Sequence, residues 1–190
     1  MSKSDEATDA DLVRATVAGN DAAFALLVTR HKDSIYCLLR RHTGHSDEAY
    51  EATQEAFIAA WRALERYDPQ RPFYVWLRTI ALNKARDRNR RRVVRRMVFG
   101  TEALDFAAAA SAPDQTPGAE AQVLARQQLL RLEQAIGHLP IALKEPLLLV
   151  AFDGCTHSQA AEVLGLSVKA IEMRLYRARK MLAAHLGDDF

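Results

Sequence analysis

The C-terminal part of the chain carries the clearest periodic pattern of apolar residues. Offsets of 0, 3, 7, 10 and 14 place five of them on one stripe of a helix: Val168, Ile171, Leu175, Ala178 and Leu182. A shorter helix is predicted to begin at Thr156, whose hydroxyl forms a capping box with Gln159. Gly165 suits the sharp turn between the two helices, and Ser167 suits the cap of the second. The pattern therefore predicts a helix-turn-helix.

The rest of the chain also shows helical spacing, and no segment is typical of a strand. The predicted helices before residue 100 cover about Asp9–Ala18, about Asp21–Arg41, a segment capped by Ser46, and a segment with Pro72 in its first turn. In the third, one stripe holds Phe57, Ala60, Trp61 and Leu64, so Trp61 is expected in the core. Two further helices are predicted at Glu120–Ile136 and from the turn containing Pro146 through Phe152.

Residues 100–120 separate these two groups of helices. The stretch holds two prolines, two glycines, an alanine run, four acids and no Lys or Arg, which is typical of a flexible linker. We therefore predict an all-α protein with two small helical domains, residues 1–99 and 121–190, joined by an acidic linker.

Composition limits the class of protein. The 190 residues are 49% hydrophobic, which favours a folded chain, and no apolar run of about 18 residues is available to span a membrane. The polar N-terminus lacks the features of a signal peptide, so a soluble, cytoplasmic protein is expected. Cys37 and Cys155 lie far apart without a CxxC pair, so we expect two buried, inert thiols, no metal and no cofactor.

The net charge of +2 hides two basic segments. Residues 78–97 carry nine basic residues and one acid, and residues 169–180 carry five basic residues and one acid. Because duplex DNA binds such patches through its phosphates, this distribution predicts contact with one nucleic acid at two places. On the second helix of the helix-turn-helix, the outer stripe is predicted to enter the major groove: Lys169, Glu172, Met173, Tyr176 and Lys180.

Aromatic residues stand beside the first basic segment. Tyr67, Phe73, Tyr74 and Trp76 flank a proline-containing loop, and aromatic faces stack on unpaired bases, so the segment suits single-stranded DNA. Tyr74 is expected to be accessible. The amide of Asn83 either reads a base edge or bonds to a neighbouring helix, and spacing alone leaves both open.

The motifs together resemble a known family. The run DEAYEATQEAFIAAWRALERYDPQRPFYVWLRTIALNKARDRNRRR is similar to region two of bacterial sigma factors of the extracytoplasmic-function type, through QExF, AWRAL, PFxxWLxxIAxN and an Asp within an arginine cluster. The segment IGHLP followed by LLLVAFDGCTHSQAAEVLGLSVKAIEMRLYRARKML resembles region four of the same family. The resemblance covers most of residues 9–186.

This resemblance implies a mechanism and a set of site residues. Region two would bind the clamp helices of core RNA polymerase, with Asp47, Glu51, Gln54, Glu55 and Phe57 at that contact. Region two would also bind and melt the minus-ten element, where the loop 65–72, Asn83 and Asp87 capture a flipped base. The DNA contacts implied there are Tyr67, Tyr74, Asn83, Lys84, Arg86, Asp87, Arg88, Arg90 and Arg91. Region four would read the minus-thirty-five element through Ser167, Lys169, Ala170, Glu172, Met173, Tyr176 and Arg177.

The same resemblance implies partners and departures. The linker would pass near the polymerase active site and RNA exit path, and an anti-sigma protein would hold the factor inactive. Tyr50 stands where an acid is common, and Glu172 and Lys169 stand where other residue types are common, so the promoter sequence does not transfer from relatives.

Two other functions compete with this interpretation. One is a helix-turn-helix regulator with a ligand-sensing or dimerising N-terminal domain, which would bind palindromic duplexes without polymerase. The other is an enzyme acting on nucleic acid, which the absence of a recognisable nucleophile or metal constellation disfavours. No sequence of the form GxxxxGK[ST] occurs, so melting is expected to use binding energy rather than ATP.

Overall fold

The computed structural model describes residues 7–99 and 119–186, and within those residues every regular element is helical. The α-helices are α1 Asp9–Val17, α2 Asp21–Thr43, α3 Ser46–Ala63, α4 Phe73–Phe99, α5 Ala119–His138, α6 Ile141–Leu147, α7 His157–Leu164 and α8 Val168–Leu186. A 3-10 turn, Leu64–Arg66, follows α3, and a π-helical segment, Leu148–Phe152, follows α6. The all-α prediction is confirmed. Most of the predicted linker, residues 100–118, lies outside the described residues.

The predicted helix-turn-helix is present with its expected caps. The Thr156 hydroxyl accepts from the Gln159 amide, and the Gln159 side chain accepts from the Thr156 amide in return. Gly165 ends α7 in the left-handed region at φ 65°, where glycine lacks the Cβ that strains other residues. The Ser167 hydroxyl accepts from the amide of Ala170 and so caps α8. Local sequence therefore determines this motif.

The capping box gives the first prediction. Thr156→Ala removes one of the acceptors for the amides at the α7 N-terminus, so the free energy of unfolding should fall by about 1 kcal/mol. Urea denaturation followed by circular dichroism measures this change. Thr156→Ser keeps the hydroxyl and serves as the control; an equal loss in both variants would show that the cap is not the cause.

Two predicted helix starts are wrong. Ser46 is the first residue of α3 rather than its cap, and its hydroxyl instead donates to the adjacent carboxylate of Asp47 at 3.4 Å. Pro146 lies near the end of α6 rather than at a helix start, because the carbonyl of Pro140 already accepts from the amides of Leu143 and Lys144. The chain then widens into the π-helical segment, where the Asp153 amide donates to the carbonyl of Leu148.

The N-terminal helices α1 to α4 pack around one core. Its largest fully buried members include Leu27, Leu39, Phe73 and Leu77, and small residues of α3 such as Ala56 let the helices approach closely. Trp61, predicted to lie in this core, is instead 42% exposed, and its ring forms a T-shaped pair with that of Phe24 at 4.8 Å between centroids. The correction follows from the width of the stripe, since Phe57, Ala60 and Leu64 already fill the buried face.

The C-terminal helices form a second core that extends into the first domain. Leu148, Ile171 and Leu175 are buried together, as the stripe on α8 predicts, but Val168 at its start is exposed. This cluster also contains Leu38 of α2 and Val75 and Leu82 of α4. The two helical groups therefore share a buried apolar core in this structure. None of the described helices is long and apolar enough to cross a bilayer.

Candidate nucleic-acid interface

The outer face of α8 is open to solvent. Lys169, Glu172, Met173, Tyr176 and Arg177 are all exposed, with Tyr176 at 64%. Ala170 is half-buried, and the Ser167 hydroxyl is engaged in the cap. An imidazole nitrogen of His157, on α7, lies 3.8 Å from the Glu172 carboxylate. The predicted recognition face thus presents basic, acidic, thioether and phenolic groups along one side of a capped helix, a chemistry suited to base edges and phosphates.

Arg177 gives a prediction for this face. If the guanidinium of Arg177 contacts a base edge, Arg177→Ala should weaken binding to the predicted minus-thirty-five element by about 1 to 3 kcal/mol. The variant should also lose sequence preference at the base pair that Arg177 contacts. Competition binding against a randomised duplex measures both effects. Arg179→Ala removes the same charge from an exposed position of the same helix and is the control. An equal loss on all sequences would assign Arg177 to a phosphate.

The basic part of α4 is only partly open. Asn83 is exposed, and its Oδ1 accepts from Nη1 of Arg86 at 3.0 Å. Lys84 is half-buried, Arg90 is exposed and pairs with Asp87 at 3.2 Å, and Arg91 is exposed. The alternative of a bond from Asn83 to a neighbouring helix is not what the structure shows, because the bond runs within α4 and the side chain remains exposed.

Arg88 ties the predicted DNA surface to the predicted polymerase surface. Its guanidinium pairs with Glu55 at 2.6 Å and with Glu51, both on α3. One turn later, Arg92 pairs with Glu48 at 2.8 Å. These ion pairs hold one face of α4 against α3. In this structure Arg88 is therefore bonded to two of the acids predicted to contact polymerase.

The predicted polymerase surface is a solvent stripe on α3. Asp47, Glu51 and Gln54 are exposed and Glu55 is half-buried. Phe57 is only 7% exposed and belongs to the core, so its predicted direct contact is not available in this structure. Two exposed apolar residues extend the stripe at helical spacing, Ile58 and Trp61. Sequence reasoning missed Ile58, although its offset of four from Gln54 is the signal that places it on this face.

The aromatic group near the loop is packed rather than open. Tyr67 is 7% exposed; its hydroxyl donates to the carbonyl of Arg71, and its ring lies 5.6 Å from that of Phe73 and 5.2 Å from that of Trp76. Burial raises the pKa of the Tyr67 hydroxyl above its ordinary value. In this arrangement the ring of Tyr67 is not open to DNA, because it packs beneath the loop, and its DNA contact stays a prediction.

Tyr74 is also engaged, contrary to the expectation that it is accessible. Its side chain is half-buried, and its hydroxyl accepts from Nε2 of Gln159, a residue of α7. The guanidinium of Arg78 lies over its ring at 4.9 Å. The C-terminal domain thus covers the aromatic residue that the sequence offers as a stacking platform.

Ion pairs join the two domains at the same place. Nε of Arg78 donates to Asp153 at 2.5 Å, and both side chains are less than a tenth exposed. Arg71, in the loop before α4, pairs with Glu162 of α7. These contacts link residues that are 75 and 91 positions apart, so no local pattern reveals them.

Glu145 is the most buried acid of this interface. It accepts from Arg86 at 2.7 and 2.5 Å and bonds to the imidazole of His42 at 3.1 Å. Burial raises the pKa of Glu145, but the hydrogen bonds from Arg86 and His42 outweigh burial and hold the pKa below its ordinary value. Glu145 is therefore ionised near neutral pH, and the same hydrogen bond raises the pKa of Arg86.

The described residues contain no cluster of three or more His, Cys, Asp or Glu placed to hold a metal ion.

The cysteines differ from the expectation that both are buried. Cys37 is exposed on α2, whereas Cys155 is buried and burial raises the pKa of its thiol.

The cysteines supply a further prediction. Native protein should react with Ellman's reagent rapidly at Cys37 only, and Cys155 should react after unfolding in denaturant, since its thiolate is disfavoured and shielded. Cys37→Ser provides the control. Rapid reaction of the Cys37→Ser protein without denaturant would contradict the burial of Cys155.

Comparison with known proteins identifies the family of both helical groups. The profile "Sigma-70 region 2" matches residues 27–95, and "Sigma-70, region 4" matches residues 129–182. The chain is 42% identical to RNA polymerase sigma factor CnrH of Cupriavidus metallidurans, over 95% of this chain and 96% of that protein. It is 32% identical to the ECF RNA polymerase sigma factor SigW of Bacillus subtilis, over 90% of this chain and 92% of that protein.

The fold is similar to that of a solved relative. The structure of CnrH in complex with the cytosolic domain of CnrY superposes with a TM-score of 0.69 and 33% identity, covering 96% of this chain and 99% of that one. The sigma factor RpoE of Bartonella quintana, solved with the anti-sigma factor NepR, superposes with a TM-score of 0.71 at 19% identity, covering 88% of this chain and 98% of that one, a likeness of fold alone.

Proposed function

This chain belongs to the extracytoplasmic-function group of the sigma-70 family of bacterial RNA polymerase sigma factors, and from that premise we propose how its own residues perform the function. As a sigma factor it binds core RNA polymerase and directs transcription initiation at particular promoters. The proposed domains are residues 1–99 for polymerase binding and minus-ten melting and residues 121–190 for minus-thirty-five recognition, with residues 100–120 as linker.

One observation carries the assignment of minus-thirty-five recognition to α8. Its outer face, with Lys169, Glu172, Met173, Tyr176 and Arg177, is exposed even though α7 is packed against the first domain. A capped helix that leaves such a face free fits the major groove, with Ser167 and Ala170 at its N-terminal end. Glu172 is suited to accept from the N4 amine of cytosine, and Lys169 is suited to a guanine or a phosphate.

We assign the minus-ten element to α4 and the loop before it. Asn83 is exposed and bonded to Arg86; Lys84 and Asp87 lie about one turn or less from it, and Arg90 lies about two turns further along α4. Extruding a base costs a few kcal/mol, which a fitted pocket beside stacked side chains offsets. Melting then uses binding energy, and the protein needs no nucleotide hydrolysis and acts as a non-enzymatic subunit.

The exposed stripe of α3 is the proposed polymerase contact. Asp47, Glu51 and Gln54 supply its polar part, with Glu55 at its edge. Ile58 and Trp61 add exposed apolar surface at one end of the stripe. Apolar and aromatic side chains are expected at the centre of a protein interface. Phe57 supports this stripe from the core.

We infer that an anti-sigma protein regulates this factor in the cytoplasm. Support comes from the relative CnrH, which was solved in complex with the cytosolic domain of CnrY and superposes over nearly the whole of its chain. The acidic linker, residues 100–120, is proposed to pass near the polymerase active site and the RNA exit path, where a basic channel stabilises negative charge.

Run-off transcription tests the proposal. Purified protein and bacterial core polymerase are mixed with a library of genomic promoter fragments from the source bacterium, and specific transcripts are expected only when both proteins are present. Core alone is the control. Absence of transcripts, together with binding to a palindromic duplex without polymerase, would instead identify a conventional helix-turn-helix regulator.

A further inference from the structure

The interface between the two domains contains three ion pairs of the same kind. Three arginines of the first domain each pair with a carboxylate of the second: Arg71 with Glu162, Arg78 with Asp153, and Arg86 with Glu145. We name these three pairs the carboxylate seam. The arginines come from the loop before α4 and from α4 itself, the segment assigned above to minus-ten DNA.

Two of the three acids of the carboxylate seam are buried between the domains. Asp153 and Glu145 are less than a tenth exposed, so their charges depend on partners in the first domain, Arg78 for the former and Arg86 with His42 for the latter. Val75 and Leu82, on the same side of α4 as Arg78 and Arg86, are fully buried by the second domain. Separating the domains therefore exposes apolar surface and frees three guanidinium groups at once.

Guanidinium groups bind carboxylates and phosphates through the same planar pairs of N–H donors. A carboxylate held against an arginine thus occupies the position that a DNA phosphate needs. The C-terminal domain also covers Tyr74 through the bond from Gln159. Minus-ten DNA and the C-terminal domain therefore compete for one surface of α4.

We propose that Arg71, Arg78 and Arg86 bind the sugar-phosphate backbone of the opened minus-ten strand, and that Glu162, Asp153 and Glu145 replace those phosphates in the free protein. The carboxylate seam then acts as an intramolecular inhibitor of promoter opening, while the outer face of α8 stays open. This inference rests on the proposed sigma-factor function and adds two DNA-binding residues, Arg71 and Arg78, and a closed state.

The first test separates charge from position. Full-length E145Q/D153N/E162Q is compared with wild type and with D21N/D33N/E133Q, which loses the same charge at three exposed positions outside the seam. The probe is a fluorescein-labelled single-stranded DNA of about 20 nucleotides, measured by anisotropy without polymerase. The seam variant should bind about tenfold more tightly because more of the protein is open, and its radius of gyration in X-ray scattering should rise.

The control variant should stay close to wild type in both measurements. Equal tightening in the two variants would show that net charge alone is responsible and would overturn the inference. So would an expanded seam variant that binds the DNA no better than wild type.

A second test does not depend on weakening the interface. Arg41 of α2 lies over the ring of Phe152 at 4.9 Å, across the two domains and outside the proposed DNA contacts. R41C/F152C in a C37S background is joined with a reducible bis-maleimide, which holds the domains closed. The joined protein should lose run-off transcription with core polymerase, and cleavage of the cross-link by reductant should restore it.

The outcomes distinguish the two proposals. Full transcription from the joined protein would overturn the carboxylate seam as an inhibitor while leaving the sigma-factor function intact. Absence of transcription from the wild type, the joined protein and the reduced protein alike would count against the proposed function itself.

Discussion

Asn83→Ala is expected to leave binding of the closed promoter nearly unchanged and to reduce promoter opening by at least about tenfold, equivalent to about 1.4 kcal/mol or more. The side chain is exposed on α4, and Arg86 orients its carbonyl oxygen, which leaves the amide group to hold an extruded base. Loss of this amide removes a contact that exists only after the base has left the stack. Permanganate reactivity of unpaired thymines with holoenzyme measures opening, and gel-shift binding on ice measures the closed complex.

Asn89→Ala is the matched control. Asn89 lies on the same helix and accepts from an arginine three residues later, Arg92 at 3.5 Å, just as Asn83 accepts from Arg86. The control should open promoters like the wild type. Equal defects in both variants would attribute the effect to helix stability, and full opening by Asn83→Ala would limit Asn83 to its bond with Arg86.

Leu148→Ala is expected to lower the free energy of unfolding by about 2 to 5 kcal/mol. Leu148 is fully buried at the start of the π-helical segment, in the cluster that joins the C-terminal helices to Leu38, Val75 and Leu82. The cavity left by the missing carbons lies in the shared core, so the α8 face and the carboxylate seam both lose their support. Denaturation by urea, followed by circular dichroism, gives the change.

Leu129→Ala makes the same chemical change on α5, where the side chain is more than half exposed. It should alter stability by less than about 1 kcal/mol. A small loss for Leu148→Ala would mean that the site collapses around the smaller side chain, and it would contradict a tightly packed shared core.

Local sequence predicts the helix-turn-helix well because its signals act over a few residues. Thr156 and Gln159 are three positions apart, Gly165 adopts the left-handed conformation of the turn without strain, and Ser167 reaches the third amide of α8. The same reasoning fails for Pro146, because a proline is also tolerated where the helix widens into a π-helical segment. Ser46 fails similarly, since its hydroxyl has an adjacent carboxylate to bond with.

Burial of aromatic residues follows less reliably from spacing. Trp61 shares a helical stripe with Phe57 and Leu64, yet it is exposed because the other members fill the buried face. Tyr67 lies beside a loop and a basic helix, a position typical of a DNA contact, yet its ring packs against Phe73 and Trp76. Which aromatic residue faces inward depends on the space between helices, and that space is absent from a one-dimensional pattern.

By itself, the sequence determined the helical class, the helix-turn-helix with its caps, the segregation of positive charge and the motifs of the family, since each depends on neighbours within a few turns or on composition. Only the tertiary structure decided which charges are open and which are paired. Arg86 meets Glu145, and Arg78 meets Asp153, across 59 and 75 positions of chain. Such pairs form only where apolar packing brings distant helices together, so the accessible DNA surface is a property of the folded arrangement.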